Sequence, residues 1–151
     1  MANTYSATFF HLVFSTKHRA RLIDPQTEIA LFPYLGGIAR RLGCEAVEIG
    51  GVEDHIHSLV RIPPKFAPSL IVQKLKSNSS RYLNESRTGA RFGWQDGYGL
   101  FSVSRSAVDD VARYIRNQRA HHAKMSFEDE YRELLRRSEE RRVGKECRSR
   151  W

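Results

Sequence analysis

Apolar and polar positions along the chain change period several times, and each change marks an element. SATFFHLVFSTKHR is rich in aromatic and β-branched residues and predicts a first strand over about residues 5 to 15. Asp24-Pro25 supplies a cap and a first-turn proline, so a helix starts there and runs toward Leu42. Pro33 and Gly36-Gly37 are expected to break or bend it. CEAVEIGGV and HIHSLVRI read as two strands separated only by Glu53 and Asp54, which makes them a hairpin. Pro63-Pro64 stops the second of these.

Helical periodicity returns over residues 67 to 86, with Ile71, Leu75 and Tyr82 near one face. Residues 88 to 97 are glycine-rich and predict a loop, and YGLFSVS a fourth strand. Ser106 with Asp109 has the spacing of a capping box for a third helix, AVDDVARYIRNQRAHH. Ser126 with Asp129 repeats that spacing before FEDEYRELLRR. The order βα-ββ-α-β-α predicts an α+β protein: an antiparallel sheet with helices packed on one face.

Length and composition fit one domain. The chain has 151 residues, is 40% hydrophobic and contains 8 Phe, 6 Tyr and 2 Trp, enough for a core. No apolar run approaches the roughly 20 residues of a membrane span. The N-terminus, MANTYSATFF, lacks the basic and apolar regions of a signal peptide. Cys44 and Cys147 lie far apart and read as free thiols, so a cytoplasmic location is expected. Residues 1–137 form the expected domain. The tail from 138 to 151, SEERRVGKECRSRW, carries five basic and three acidic residues without apolar periodicity, and reads as disordered or not native to the domain.

Charge narrows the choice of partner. A net charge of +8 and a pI near 9.9 suit a polyanion, most often nucleic acid. The basic residues cluster. Lys17, His18, Arg19 and Arg21 follow the first strand, Lys74, Lys76 and Arg81 lie on the second helix, and Arg113, Arg116 and Arg119 lie on the third. Such residues follow phosphates, while Phe and Tyr side chains stack on unpaired bases.

Chemistry concentrates at DHIHSLV, Asp54 to Val60. Alternate side chains of a strand share a face, so His55 and His57 project together while Ile56 points the other way. The pair is either half of a metal site or two polar residues on a wet sheet face. Asp54 is either a hairpin turn residue or a partner that orients an imidazole. On the third helix, Tyr114 and Gln118 stand four residues apart on one face. A glutamine carbonyl suits a hard cation such as Mg²⁺ or Mn²⁺, and a tyrosine beside such an ion is a potential nucleophile. The competing reading is an amphipathic helix with Tyr114 in the core. His121 and His122, which follow, read as a helix C-terminal cap favourable to the dipole, with contact to DNA or a metal as the alternative.

Five segments in order, HLVFSTKHR, DHIHSLV, QKLKSNSSRYL, WQDGYGLFSVS and YIRNQ, resemble the single-tyrosine HUH transposases of the IS200/IS605 type. That group includes relatives associated with repetitive extragenic palindromes. The resemblance covers roughly residues 5 to 135. It implies a ferredoxin-like sheet, a divalent cation (Mg²⁺ or Mn²⁺) on His55, His57 and Gln118, and Tyr114 as nucleophile. It also implies single-stranded hairpin DNA as substrate, and a homodimer in which one chain's tyrosine helix serves the other's histidine pair. The reaction implied is cutting and rejoining through a 5′-phosphotyrosine. Two other readings stand beside it. One is a non-catalytic binder of palindromic repeats on the same fold. The other is a metal phosphoesterase using activated water, which would survive Tyr114→Phe.

Overall fold

Alternating apolar residues build the sheet, and the computed structural model, which describes residues 3–138, shows what each face of it covers. Strands β1 (Phe9–Ser15), β2 (Glu45–Val52), β3 (His55–Arg61) and β4 (Gly99–Val103) lie in the order β2-β3-β1-β4, antiparallel throughout. Helices α1 (Pro25–Arg41) and α2 (Pro68–Glu85) connect β1 to β2 and β3 to β4. This is the doubled split βαβ arrangement of ferredoxin-like folds, as the sequence predicts. β1 begins at Phe9, later than the expected residue 5. The tail beyond Ser138 lies outside the described residues.

The two sheet faces differ. Leu12 and Phe14 of β1 and Ile56 and Val60 of β3 bury against Leu31, Leu35 and Ile38 of α1 and Ile71, Val72 and Leu75 of α2. This is the main core, and it places both long helices on one face. The opposite face is covered by the C-terminal helices α3 (Val108–Arg116), α4 (Gln118–His122) and α5 (Phe127–Arg137). Phe9 and Leu59 pack there against Val108, Ala112 and Ile115, and Val13 against Phe127 and Tyr131. Helices on one face thus describe α1 and α2, while the later helices form a second, thinner layer.

Three local expectations are corrected. α1 continues through Pro33 and Gly36-Gly37 as one helix. Pro33 and Ile29, one turn earlier, are both exposed, so the carbonyl that the proline leaves unbonded meets water. An interior proline costs about 3 kcal/mol. Burying Leu31, Leu35 and Ile38 returns roughly 1.5–3 kcal/mol apiece, which outweighs it. At α3, Ser106 makes no capping bond. It sits in a 3₁₀ turn, Arg105–Ala107, and faces the Ser104 hydroxyl at 3.2 Å. The expected single third helix is divided at Asn117, whose φ of −96° and ψ of 21° end α3 before α4 begins. Ser126, by contrast, caps α5 as expected by accepting the Asp129 N–H at 3.3 Å.

α3 approaches the sheet closely because position 50 has no side chain. A β-carbon built on Gly50 of β2 would lie 2.2 Å from the Ile115 carbonyl oxygen. That contact sets how deep the helix bearing Tyr114 sits.

Candidate active site

His55 and His57 project from β3 on the α3–α5 face, fully buried, while Ile56 enters the main core. Each imidazole is held by its Nδ1. Asp54 Oδ1 lies 2.8 Å from His55 Nδ1. His11, on the neighbouring β1, places Nε2 2.8 Å from His57 Nδ1. A third imidazole, His122 of α4, donates from Nδ1 to the Met125 carbonyl at 2.8 Å. With their Nδ1 atoms engaged, the three rings turn Nε2 toward one point, the carboxylate of Glu130 on α5. Glu130 Oε1 is 2.9 Å from His57 Nε2, 3.0 Å from His122 Nε2 and 3.4 Å from His55 Nε2.

The second oxygen of Glu130 has different neighbours. Tyr114 donates its hydroxyl to Oε2. Gln118 Nε2 donates to the same oxygen at 3.2 Å, and His121 Nε2 lies 3.3 Å away. The Tyr114 ring stands edge-on to His57, with centroids 5.8 Å apart. Tyr114 and the histidine pair therefore meet within a single chain. Gln118 is buried beside them, with its carbonyl oxygen 3.4 Å from His55 Nε2, but its amide is turned to Glu130.

Burial and charge set the protonation of this cluster. Burial would raise the Glu130 carboxyl, yet hydrogen bonds from His122, His55 and His57 outweigh it and hold the group far below the usual carboxylate range. Burial drives His57 down to about 4 and His11 to about 3. His55 is also opposed by burial, but bonds to Asp54 and Glu130 win and raise it. Burial raises the Tyr114 hydroxyl, and the adjacent Glu130 charge raises it further. An unaided Tyr114 is thus a poor nucleophile at neutral pH.

Metal-ligand chemistry fits these residues. Among the described residues, His55, His57, His122 and Glu130 each offer one ligand atom, all within 4.8 Å of one another. Imidazoles whose Nδ1 atoms are tied to a carboxylate, a carbonyl or another ring are oriented as metal-bound histidines are. The sequence offers His122 as a metal contact only as the lesser alternative to a helix cap, and it does not single out Glu130. His121 and His122 turn inward to Glu130 rather than capping a helix end. Asp54 bonds its neighbour's imidazole besides standing in the hairpin turn. Ser15, opposite His55 in register, buries a hydroxyl on the same face without a partner among the described residues.

The basic residues do not converge on one surface. Lys17, Arg19 and Arg21 follow β1 at the end of the sheet where Ser15 faces His55, and Arg19 pairs with Glu128 of α5 at 3.5 Å. Arg113 pairs with Asp110 at 3.4 Å, Arg116 with Glu48 at 2.7 Å, and Arg119 with Glu28 and Glu53. Lys74 and Arg81 are exposed on α2, across the sheet from the histidines. Lys76 is committed to the loop after α2. Its ammonium donates to the carbonyls of Gln95, Asp96 and Gly97, and burial lowers its pKa.

The fold and the sequence together define a transposase. The family model described as "Transposase IS200 like" matches residues 4–118, and the chain belongs to that family, whose activity is DNA cleavage. It is 30% identical over 129 residues to the transposases for insertion sequence element IS200 of Salmonella typhimurium and Salmonella typhi, covering 78% of this chain and 81% of each relative. A Deinococcus radiodurans protein assigned as a transposase shares the fold, with a TM-score of 0.62 and 24% identity over 78% of this chain and 96% of that one. So does a REP-associated tyrosine transposase bound to a REP hairpin, with a TM-score of 0.61 and 11% identity over 83% of this chain and 76% of that one. Among the described residues no helix is long and apolar enough to cross a membrane.

Proposed function

We propose that this transposase cuts and rejoins single-stranded DNA through a 5′-phosphotyrosine on Tyr114. The observation that carries the reading is the Tyr114 hydroxyl, hydrogen-bonded to Glu130 beside the buried His55–His57 pair. In the forward step the Tyr114 oxygen attacks a backbone phosphorus and the bond from phosphorus to the 3′ oxygen breaks. Glu130 Oε2 orients the Tyr114 hydroxyl, which gives its proton up to solvent, and the departing 3′ oxygen takes one up from solvent. The new ester keeps the free energy of the broken phosphodiester, so a second 3′-OH can reverse the step without a nucleotide cofactor. A divalent cation, Mg²⁺ or Mn²⁺, held by His55 and His57 would supply neutralisation of charge on the scissile phosphate.

Lys17, Arg19 and Arg21 lead away from the His55 end of the sheet and are placed to carry the backbone entering the site. Arg113 and Arg116, on the tyrosine helix, are placed to follow the strand that leaves it. Lys74 and Arg81 lie on the far face, where a second stretch of phosphates from a folded strand would meet them. This suits hairpin DNA, the ligand of the structural relative with a REP hairpin. Tyr114 acts in cis on this reading, and no second copy is needed to complete a site.

The test uses single-stranded hairpin oligonucleotides drawn from the DNA flanking the gene, incubated with the protein and Mn²⁺ and run on a denaturing gel. A covalent protein–DNA adduct is expected, and it disappears in Tyr114→Phe and in His57→Ala. Cleaved DNA without an adduct, persisting in Tyr114→Phe, would instead identify hydrolysis by water.

A further inference from the structure

Glu130 divides its two oxygens between two separate sets of partners. Oε1 faces only imidazole nitrogens, those of His55, His57 and His122. Oε2 faces the Tyr114 hydroxyl, the Gln118 amide and His121. The side chain is 1% exposed and enters from α5, past the residues matched by the family model. We propose that Glu130 is the bridge of the site: Oε1 completes a His55–His57–His122–Glu130 metal centre, while Oε2 fixes the Tyr114 hydroxyl one carboxylate away from the ion. The inference rests on the function proposed above and changes its ligand set. Gln118 becomes a prop for Glu130, because its amide donates to Oε2.

The chemistry of the donor set sharpens the metal expected. Three imidazoles and one carboxylate suit a borderline transition ion, whereas Mg²⁺ prefers oxygen ligands and keeps several waters. The centre therefore takes Mn²⁺ or Co²⁺ well ahead of Mg²⁺. Tyr114 contributes no ligand, since its hydroxyl is directed at the oxygen turned away from the imidazoles.

Binding of Mn²⁺, followed by loss of the free-ion electron paramagnetic resonance signal, tests the metal half without DNA. Glu130→Gln and His122→Gln are each expected to weaken Mn²⁺ by about 100-fold or more. That is at or beyond the upper end of the 10–100-fold typical when a group that merely supports a ligand is lost. Gln118→Ala and Tyr114→Phe should stay within about 10-fold, at the low end of that range. Strong loss in Gln118→Ala, with Glu130→Gln and His122→Gln close to wild type, would overturn the assignment. Circular dichroism checks folding of each variant, and His122→Gln, on the short helix α4, serves if Glu130→Gln does not fold.

The bridging half is read from adduct formation at saturating Mn²⁺. Glu130→Gln should remain slow there, because excess metal cannot restore the hold on Tyr114. Recovery of the wild-type rate would reduce Glu130 to a simple ligand. A wild-type protein that binds Mn²⁺ through these four residues yet forms no adduct would sink the proposed function and leave the metal centre standing.

Discussion

At the scale of single residues, the cluster is a problem of burying charge. Glu130 and three histidines share a space almost closed to water, and only mutual hydrogen bonding makes that tolerable. The sign of the pH dependence follows. His57 and His11 are depressed in the folded protein, so between about 4 and 6.5 the unfolded chain binds more protons at these positions. Glu130, held low, works in the same direction below the usual carboxylate range, whereas His55 is raised and opposes them. The balance predicts that stability, present above about pH 6.5, falls as the pH drops toward 4. Thermal unfolding across that range, with chelator present, is the measurement. His11→Asn should flatten the profile, since one buried imidazole no longer resists protonation, and a profile with the wild-type slope would contradict this.

Glu130 also shows where reading the sequence stopped short. FEDEYRELLRR looks like a solvated charged helix, and three acidic residues in its first turn serve the dipole. Yet Phe127, Glu130, Tyr131 and Leu134 recur at helical spacing, and a carboxylate within an apolar stripe calls for a buried partner. The signal was present, but the partner was a histidine pair seventy residues earlier. His55 and His57, by contrast, were legible because strand alternation alone puts them on one face.

At the scale of elements, α3 is positioned by backbone contact. A methyl group at Gly50 would meet the Ile115 carbonyl at 2.2 Å, too close to be absorbed by a side-chain rotation. Gly50→Ala should lower stability by about 1–3 kcal/mol, the usual cost of overpacking, measured by denaturant unfolding. The same substitution should slow adduct formation, because it displaces Tyr114 from His57 without altering either. Ser126→Ala removes the cap that accepts the Asp129 N–H and should cost about 1 kcal/mol. Strands and long helices were readable from period and turn residues. Pro33 misled because local propensity carries no information about the core that α1 buries on both sides of it. The division at Asn117 was equally invisible, since nothing in RYIRNQRAHH marks a break.

At the scale of the whole molecule, the sheet is a partition. One face holds the main apolar core with α1 and α2, and the other holds the charged cluster under a thinner layer of α3 to α5. The two layers have unequal stability, and hydrogen exchange should be faster in α4 and α5 than in β1 and β3. The weaker side is also the one where the cluster meets solvent: Tyr114 is half-buried there and the His121 side chain is 30% exposed.

Tyr114 reaches His57 of its own chain, and that contact has a consequence in arithmetic. A site assembled from one polypeptide is first order in protein, so the adduct formed per molecule should not change on dilution. Equal parts of Tyr114→Phe and His57→Ala, each inactive alone, should remain inactive when mixed and refolded together. Chains that exchanged their tyrosine helices would instead rescue one another, since a mixed pair would hold one intact site. On the cis reading proposed above, each copy would succeed or fail by itself.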